Sequence, residues 1–267
     1  MLKERNYLTG ANGFIGRHLL SSTENTTPIP HDRIPWYLNW SFDKFYFLST
    51  YGNMTFHDNE KEVVKANLGD LIDVLGKVDW KEGFESFVYF STSSVKLGLQ
   101  TMYSRCKRAA EEILLAYAEK YDAPICVIRP FSVTGPGEQK EHLIPTLIHA
   151  AHTGETVNFS PTPVHDFIDV RDVVAGVKAL SEHRARGVFE LGSGRETSNQ
   201  EVLEIVENVT GKKVKTNTVP QLRPYDTDRW VSTNLRVRGF GWTPNVTLEQ
   251  SITDMVEEYG RLGKKDN

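Results

Sequence analysis

In this chain of 267 residues, a phenol and an ammonium stand one helical turn apart in Tyr103-Ser104-Arg105-Cys106-Lys107. A positive charge beside a phenol favours the phenolate, which brings the pair closer to acid/base work at neutral pH. Just upstream, the apolar run Phe87-Val88-Tyr89-Phe90 ends in the hydroxyls Ser91-Thr92-Ser93-Ser94. A hydroxyl there can hydrogen-bond a substrate oxygen as charge develops on it. Near the start, Gly10-Ala11-Asn12-Gly13-Phe14-Ile15-Gly16 spaces three glycines as G-x-x-G-x-x-G. Such glycines permit a tight turn, let backbone N–H groups approach a pyrophosphate, and let helix pack closely on strand. The helix end adds partial positive charge. Taken singly, each pattern is commonplace: helical tyrosines mostly pack, lysines are mostly solvated, and glycines mark plain turns. In this order along one chain they read as a dinucleotide site with an acid/base pair beside it.

Positioning these residues needs strands that deliver them to one sheet end. Tyr7–Thr9, a short stretch near Thr27–His31, Phe45–Leu48, Phe87–Phe90 and Ile125–Ile128 read as strands, the longer ones buried on both faces. Phe14–Leu20, Glu60–Leu75 and Tyr103–Tyr121 read as helices between them. This alternation predicts βαβ crossovers and a parallel sheet covered on both faces. After about residue 137 the pattern loosens. Helices are expected near 141–153, 171–182 and 198–210, strands near 156–159, 187–191 and 214–219, and a closing amphipathic helix over Leu248–Tyr259. The expected organisation is a dinucleotide-binding domain over 1–135, with later segments near 160–192 returning to it. Residues 136–267 are expected to form mainly a discontinuous substrate-binding lobe.

Composition narrows the partners. Apolar residues make up 39% and charged residues 25%, with a net charge of -4 and a pI near 6.1. That balance gives no electrostatic reason to expect nucleic acid or an anionic membrane. No stretch approaches the roughly 18–20 apolar residues that span a bilayer. The start runs directly into a strand, leaving no room for a signal peptide, so a cytoplasmic protein is expected. Cys106 and Cys126 match neither metal-ligand spacing nor a disulfide framework and are expected to pack in the core. Asp32 lies 16 residues beyond Gly16, near the position from which an acid grips an adenosine ribose, and favours NAD. Arg33 beside it can meet a 2′-phosphate, which keeps NADP open.

Longer motifs add a resemblance over nearly the full length. Phe45-Tyr46-Phe47-Leu48-Ser49-Thr50, Asn67, Val127-Ile128-Arg129-Pro130-Phe131-Ser132-Val133-Thr134-Gly135-Pro136-Gly137, Asp166-Phe167-Ile168-Asp169-Val170-Arg171-Asp172-Val173, Arg223-Pro224-Tyr225-Asp226 and Gly241-Trp242-Thr243-Pro244 carry it. The chain resembles the extended short-chain dehydrogenase/reductase superfamily, in its NAD-dependent epimerase/dehydratase branch. The resemblance implies an α/β fold, a Rossmann-type doubly wound parallel sheet with a small C-terminal substrate-binding lobe. It implies an NAD(P)-dependent enzyme acting on a nucleotide-sugar, with C4 epimerisation through a transient 4-keto intermediate as the leading reading. A reductase of a 4-keto sugar or small ketone, and a catalytically idle cofactor-binding sensor, are the alternatives. Thr92, Tyr103 and Lys107 take the catalytic roles. The cofactor set is Gly10, Asn12, Gly13, Phe14, Ile15, Gly16, Asp32, Arg33, Leu48, Ser49, Thr50, Asn67, Tyr103, Lys107, Pro130 and Val133. The substrate set is Thr92, Ser93, Ser132, His142, Leu143, Asn158, His165, Arg223 and Asp226. A homodimer follows by the same analogy.

The chain also departs from that pattern. The stretch from Gly16 to Phe45, which holds Trp36 and Trp40, is too short for a βα unit that the family carries there. The Thr92–Tyr103 segment is compressed, with Lys96-Leu97 in place of a Tyr-Gly. His165 stands where an Arg is usual, and Ser132 where an Asn is. Ser93-Ser94 replaces the Asp-Glu of the 4,6-dehydratases, which disfavours dehydration because no acid and base remain for eliminating water.

Overall fold

Short apolar runs and amphipathic segments alternate through the first half of the chain and become a layered α/β arrangement. The computed structural model describes residues 5–30, 41–53, 57–98, 100–220 and 229–262. β1 (Asn6–Thr9) turns into α1 (Phe14–Ser22), followed by β2 (Thr26–Ile29) and β3 (Lys44–Phe47). Next come α2 (Glu60–Val64), a π-helical turn (Lys65–Gly69) and α3 (Asp70–Leu75). β4 (Ser86–Phe90), a 3-10 turn (Ser93–Lys96), α4 (Met102–Tyr121) and β5 (Ile125–Pro130) continue the chain. β6 (Ser132–Thr134), α5 (Leu143–Thr153), β7 (Thr156–Phe159), β8 (Val164–His165), β9 (Phe167–Asp169) and α6 (Val170–Glu182) follow. The last elements are β10 (Gly187–Leu191), β11 (Thr197–Ser198), α7 (Asn199–Thr210), β12 (Lys215–Thr218), β13 (Arg229–Trp230), α8 (Leu235–Arg238) and α9 (Leu248–Leu262).

The chain divides into two units. The first comprises 1–130, 174–190 and 235–242, and the second 131–173, 191–234 and 243–267. The first unit holds a six-stranded sheet in the order β10-β5-β4-β3-β1-β2. β2, β1, β3, β4 and β5 pair in parallel. Every residue of β4 is buried, as expected for a strand covered on both faces. One face is filled by rings, with Phe45 stacked on Phe87 at 5.1 Å and Phe42, Phe47 and Tyr89 packed with Leu71, Val74 and Leu114. Register decides where the strands end. Thr9 pairs with Phe47, Phe47 with Tyr89, and Tyr89 with Val127. The carboxyl ends of β1, β3, β4 and β5 are therefore level, and the loops that leave them emerge side by side. Beyond β1, β2 is the only further strand among the described residues, in keeping with the shortened Gly16–Phe45 stretch. Pro28 stands in it, which an edge strand tolerates because a proline has no N–H for a further ladder.

The second unit is built on α5, α7 and α9, whose Ile144, Leu147, Ile148, Val202, Val206, Ile252 and Met255 share a core with Phe159. Ser198 and Glu201 form a reciprocal capping box at the start of α7. Its short strands make three small sheets, β11-β8-β13, β12-β7 and β6-β9. Several of these strands have only two or three residues, too few to show a period in the sequence. No helix among the described residues is long and apolar enough to cross a membrane. Cys106 and Cys126 are both free and buried.

Candidate active site

The glycine turn is built by close approach. Gly10 has φ +74°, and a Cβ there would stand 2.7 Å from the Leu48 carbonyl carbon. A Cβ on Gly16 would stand 2.0 Å from the Gly10 carbonyl oxygen. No side chain fits at either position, so α1 can begin directly against the ends of β1 and β3. Gly13 donates its N–H to the Gly10 carbonyl at 3.0 Å and caps α1 without a side-chain hydrogen bond. The first-turn amides of α1 therefore have no capping side chain to satisfy them, and an anion can take that place. Asn12 is exposed at the turn, Phe14 is buried and Ile15 half-buried. Thr9 Oγ1 accepts from the amides of Leu48 and Ser49 at 3.1 and 3.2 Å, joining the end of β1 to the end of β3. Leu48 and Ser49 are themselves buried.

At the neighbouring strand end, Thr92 caps the 3-10 turn through its Oγ1, which accepts from Ser94 N at 3.2 Å and lies 3.0 Å from Ser94 Oγ. Ser93 is buried. α4 is capped by Thr101, and its buried stripe is Ser104, Cys106, Lys107, Ala110, Glu111 and Leu114. Lys107 is 1% exposed, and its Nζ donates to the Phe90 carbonyl at 2.7 Å. The same ammonium lies 4.8 Å from the centroid of the Tyr89 ring and 5.9 Å from that of Tyr103. Burial lowers the Lys107 pKa to about 7, opposed by the charge of Glu111 and by Cys106. Burial raises the Tyr103 pKa, while side-chain hydrogen bonds with Thr50 and Thr92 lower it. One phenol, two threonine hydroxyls and one buried ammonium thus share a cluster beside the glycine turn.

Thr50 leads further. Its hydroxyl donates to Asn67 Oδ1 at 2.7 Å. Asn67 Nδ2 in turn donates to the carbonyls of Tyr51 and Val63, which fixes which end of the amide faces Thr50. Asn67 sits fully buried in the π-helical turn, and Tyr89 donates its phenol to the Asn67 carbonyl at 3.2 Å. A π-turn disrupts the regular ladder, and such turns concentrate at working sites.

A second layer went unread in the sequence. Ser91 donates its hydroxyl to Glu111 Oε1, and Arg129 donates to both carboxylate oxygens of Glu111, at 2.9 and 2.5 Å. The available signal was the placement of Lys107 and Glu111 on the same helical stripe as Cys106, Ala110 and Leu114, a face that ordinarily holds no charges. Lys96, which stands in the compressed segment, pairs with Glu190 at 2.6 Å.

The remaining expected residues divide by position. Pro130 ends β5, half-buried, in the first unit. In the second unit, Ser132 and Val133 lie in β6, and Ser132 N donates to the Asp166 carbonyl at 3.0 Å. His142 precedes α5 without a side-chain cap, its Nδ1 lying 2.9 Å from Glu138 Oε1, and Leu143 begins the helix. Asn158 is exposed in β7 and accepts from Asn217 at 2.9 Å. His165 is buried near the rings of Phe167 and Trp230, at 5.8 and 6.1 Å. Asp32, Arg33, Trp36, Trp40, Arg223, Pro224, Tyr225 and Asp226 lie outside the described residues.

The chain is similar to several known proteins. The sequence model of the NAD dependent epimerase/dehydratase family matches residues 39–192, more than half of the chain. Low-salt glycan biosynthesis protein Agl12 of Haloferax volcanii is 30% identical over 63% of this chain, which spans 55% of that protein's length. GDP-6-deoxy-D-mannose reductase of Pseudomonas aeruginosa is 23% identical, covering 97% of this chain and 98% of its own. Among solved structures, MoeE5 in complex with UDP-glucose and NAD superposes with a TM-score of 0.84 at 24% identity, over 97% of this chain and 99% of its own. That last likeness is one of fold.

Proposed function

Because the chain belongs to the NAD dependent epimerase/dehydratase family, we propose that it is an enzyme that binds NAD, with NADP the alternative, and works at C4 of a nucleotide-sugar. The observation that carries this reading is the cluster of Tyr103, Thr92 and Thr50 with the buried Lys107, at the same sheet end as the glycine turn. The turn fits a dinucleotide, since Gly10 and Gly16 leave no room for a Cβ and the α1 amides carry no side-chain cap. Gly10 to Gly16 would hold the pyrophosphate, Lys107 the ribose, and Leu48 to Thr50 with Pro130 the flanks. When bound, the nicotinamide supplies reversible hydride acceptance.

The side chains of this chain do the rest. Tyr103 takes the proton of the sugar 4-hydroxyl as that carbon is oxidised, and gives it back when the carbon is reduced. Thr92 hydrogen-bonds the same oxygen, and the Lys107 charge favours the phenolate between the two events. Reduction of the 4-keto sugar on its other face completes a C4 epimerisation. Ser93 and Ser94 carry no charge, so the pair offers no acid and base for dehydration. A 4-keto-sugar reductase is the second reading, favoured by the full-length match to the Pseudomonas reductase.

The test is direct. Nucleotide released from the denatured protein is identified, and UDP- and dTDP-hexoses are incubated with the enzyme while C4 exchange is followed by NMR. Released NAD with C4 exchange supports the first reading. Stoichiometric consumption of NADPH on a 4-keto sugar replaces it with the second. No nicotinamide and no turnover overturn both. Sedimentation velocity checks the homodimer.

A further inference from the structure

Lys107 is buried together with ionisable groups that the proposed catalytic steps leave unused. Glu111, one turn further along α4, is 1% exposed and receives Ser91 Oγ and both Nε and Nη2 of Arg129. Ser91 follows Phe90, whose carbonyl holds Lys107 Nζ at 2.7 Å. Its own N–H donates to the Ile128 carbonyl at 2.8 Å, and Arg129 is the next residue. One carboxylate therefore ties the ends of β4 and β5 to the helix face that carries Lys107.

Charge makes this more than a brace. With Tyr103 neutral, Lys107, Glu111 and Arg129 sum to one positive charge, and ionising Tyr103 brings the sum to zero. Glu111 is the charge that raises the pKa of the buried Lys107, so without it the lysine sheds its proton more readily, and the half-buried Arg129 loses its partner as well. The other groups facing Lys107 do not alter the count, since burial raises the pKa of both Tyr89 and Cys106 and keeps them neutral. Glu112 and Glu190 act on Arg129 through space, and Glu190 is already paired with Lys96. A glutamine in place of Glu111 would keep Ser91 and one Arg129 N–H satisfied but would bring no charge.

We propose that Glu111 is a positioning residue for the Tyr103–Lys107 pair: its negative charge on the same helix face keeps Lys107 protonated beside the phenol, and its bonds to Ser91 and Arg129 hold the strand end that orients the ammonium. This role rests on the acid/base part assigned to Tyr103, yet its charge logic can be read without turnover. Full-length protein labelled with 13Cε-lysine is titrated by NMR, with the Lys107 signal assigned by its loss in Lys107→Met. Glu111→Gln lowers the Lys107 midpoint by about one pH unit or more. Arg129→Met raises it by a similar amount, and the double variant returns close to the wild-type value. A purely structural role moves both single variants the same way or not at all, and either result overturns the proposal. If Glu111→Gln does not fold, the upward shift in Arg129→Met still decides the sign. Where turnover is found, the alkaline limb of its pH profile moves in the same opposite directions. Where none is found with any sugar, the Lys107 titration stands alone and only the reading of function fails.

Discussion

Glu111 in the first unit and Asp166 in the second are both buried carboxylates, 1% and 0% exposed, yet their surroundings differ in kind. Asp166 accepts five hydrogen bonds, from N and Oγ of Ser193, N of Gly194, and N and Oγ of Ser232, at 2.5 to 3.0 Å. All five donors are neutral dipoles. They saturate the carboxylate and pin two loops to β8 and β9. Glu111 meets a guanidinium and shares its helix face with an ammonium. A carboxylate closed by dipoles fixes geometry, whereas one set among cations fixes a charge sum that a proton can change.

Four outcomes would break or sharpen this contrast. Tyr103→Phe removes the group whose ionisation balances the cluster, so turnover falls about 10²-fold or more while the nucleotide still binds. Steady-state rates beside a nucleotide titration check it, and retained turnover takes Tyr103 out of the assigned role. Asp166→Asn turns an amide N–H toward a donor and costs about 2 kcal/mol of stability, read from denaturant midpoints. A cost near zero would show that the dipole-filled pocket is not a pin.

Lys107 gives the pH dependence. Its pKa is about 7 in the folded protein against an ordinary 10.5, so between those values the unfolded chain holds a proton that the folded chain has shed. Stability therefore rises with pH through that window, relative to Lys107→Met, by up to about 1.4 kcal/mol per pH unit. Denaturant melts of both proteins at several pH values read the difference, and parallel curves refute it. The smallest effect is at Thr50, where valine removes one hydroxyl contact to Tyr103 and costs about fivefold in turnover, or about 1 kcal/mol. Serine restores most of it. Equal losses in both variants would assign Thr50 to packing.

The sheet was legible because β3, β4 and β5 are apolar runs separated by helical stretches, and parallel burial leaves that mark on composition. Tyr103, Lys107 and Thr92 stood out by type, order and spacing. The π-helical turn did not. Val63, Val64, Leu68, Leu71, Ile72 and Leu75 fit one regular helix, yet Val64 and Ile72 emerge 40% and 49% exposed while Asn67 is buried. An extra residue in the turn shifts the phase of the stripe, and no local residue type announces it. Glu111 and Arg129 carry no such mark, because charges on a helix or at a strand end are mostly solvated. Their partners come from separate elements, so only the assembled fold brings them together.

That phase shift has an evolutionary reading. Removing one residue between Lys65 and Gly69 would leave a helix of ordinary pitch, because the wide turn takes up the extra residue and lets α2 and α3 keep their faces. The chain would keep its architecture, since Leu71, Val74 and Leu75 on α3 stay in the core, but Asn67 would leave Thr50 and Tyr89. The turn works as a reading frame for the site. Relatives one residue shorter here are expected to share the scaffold and to hold their phenol by other means.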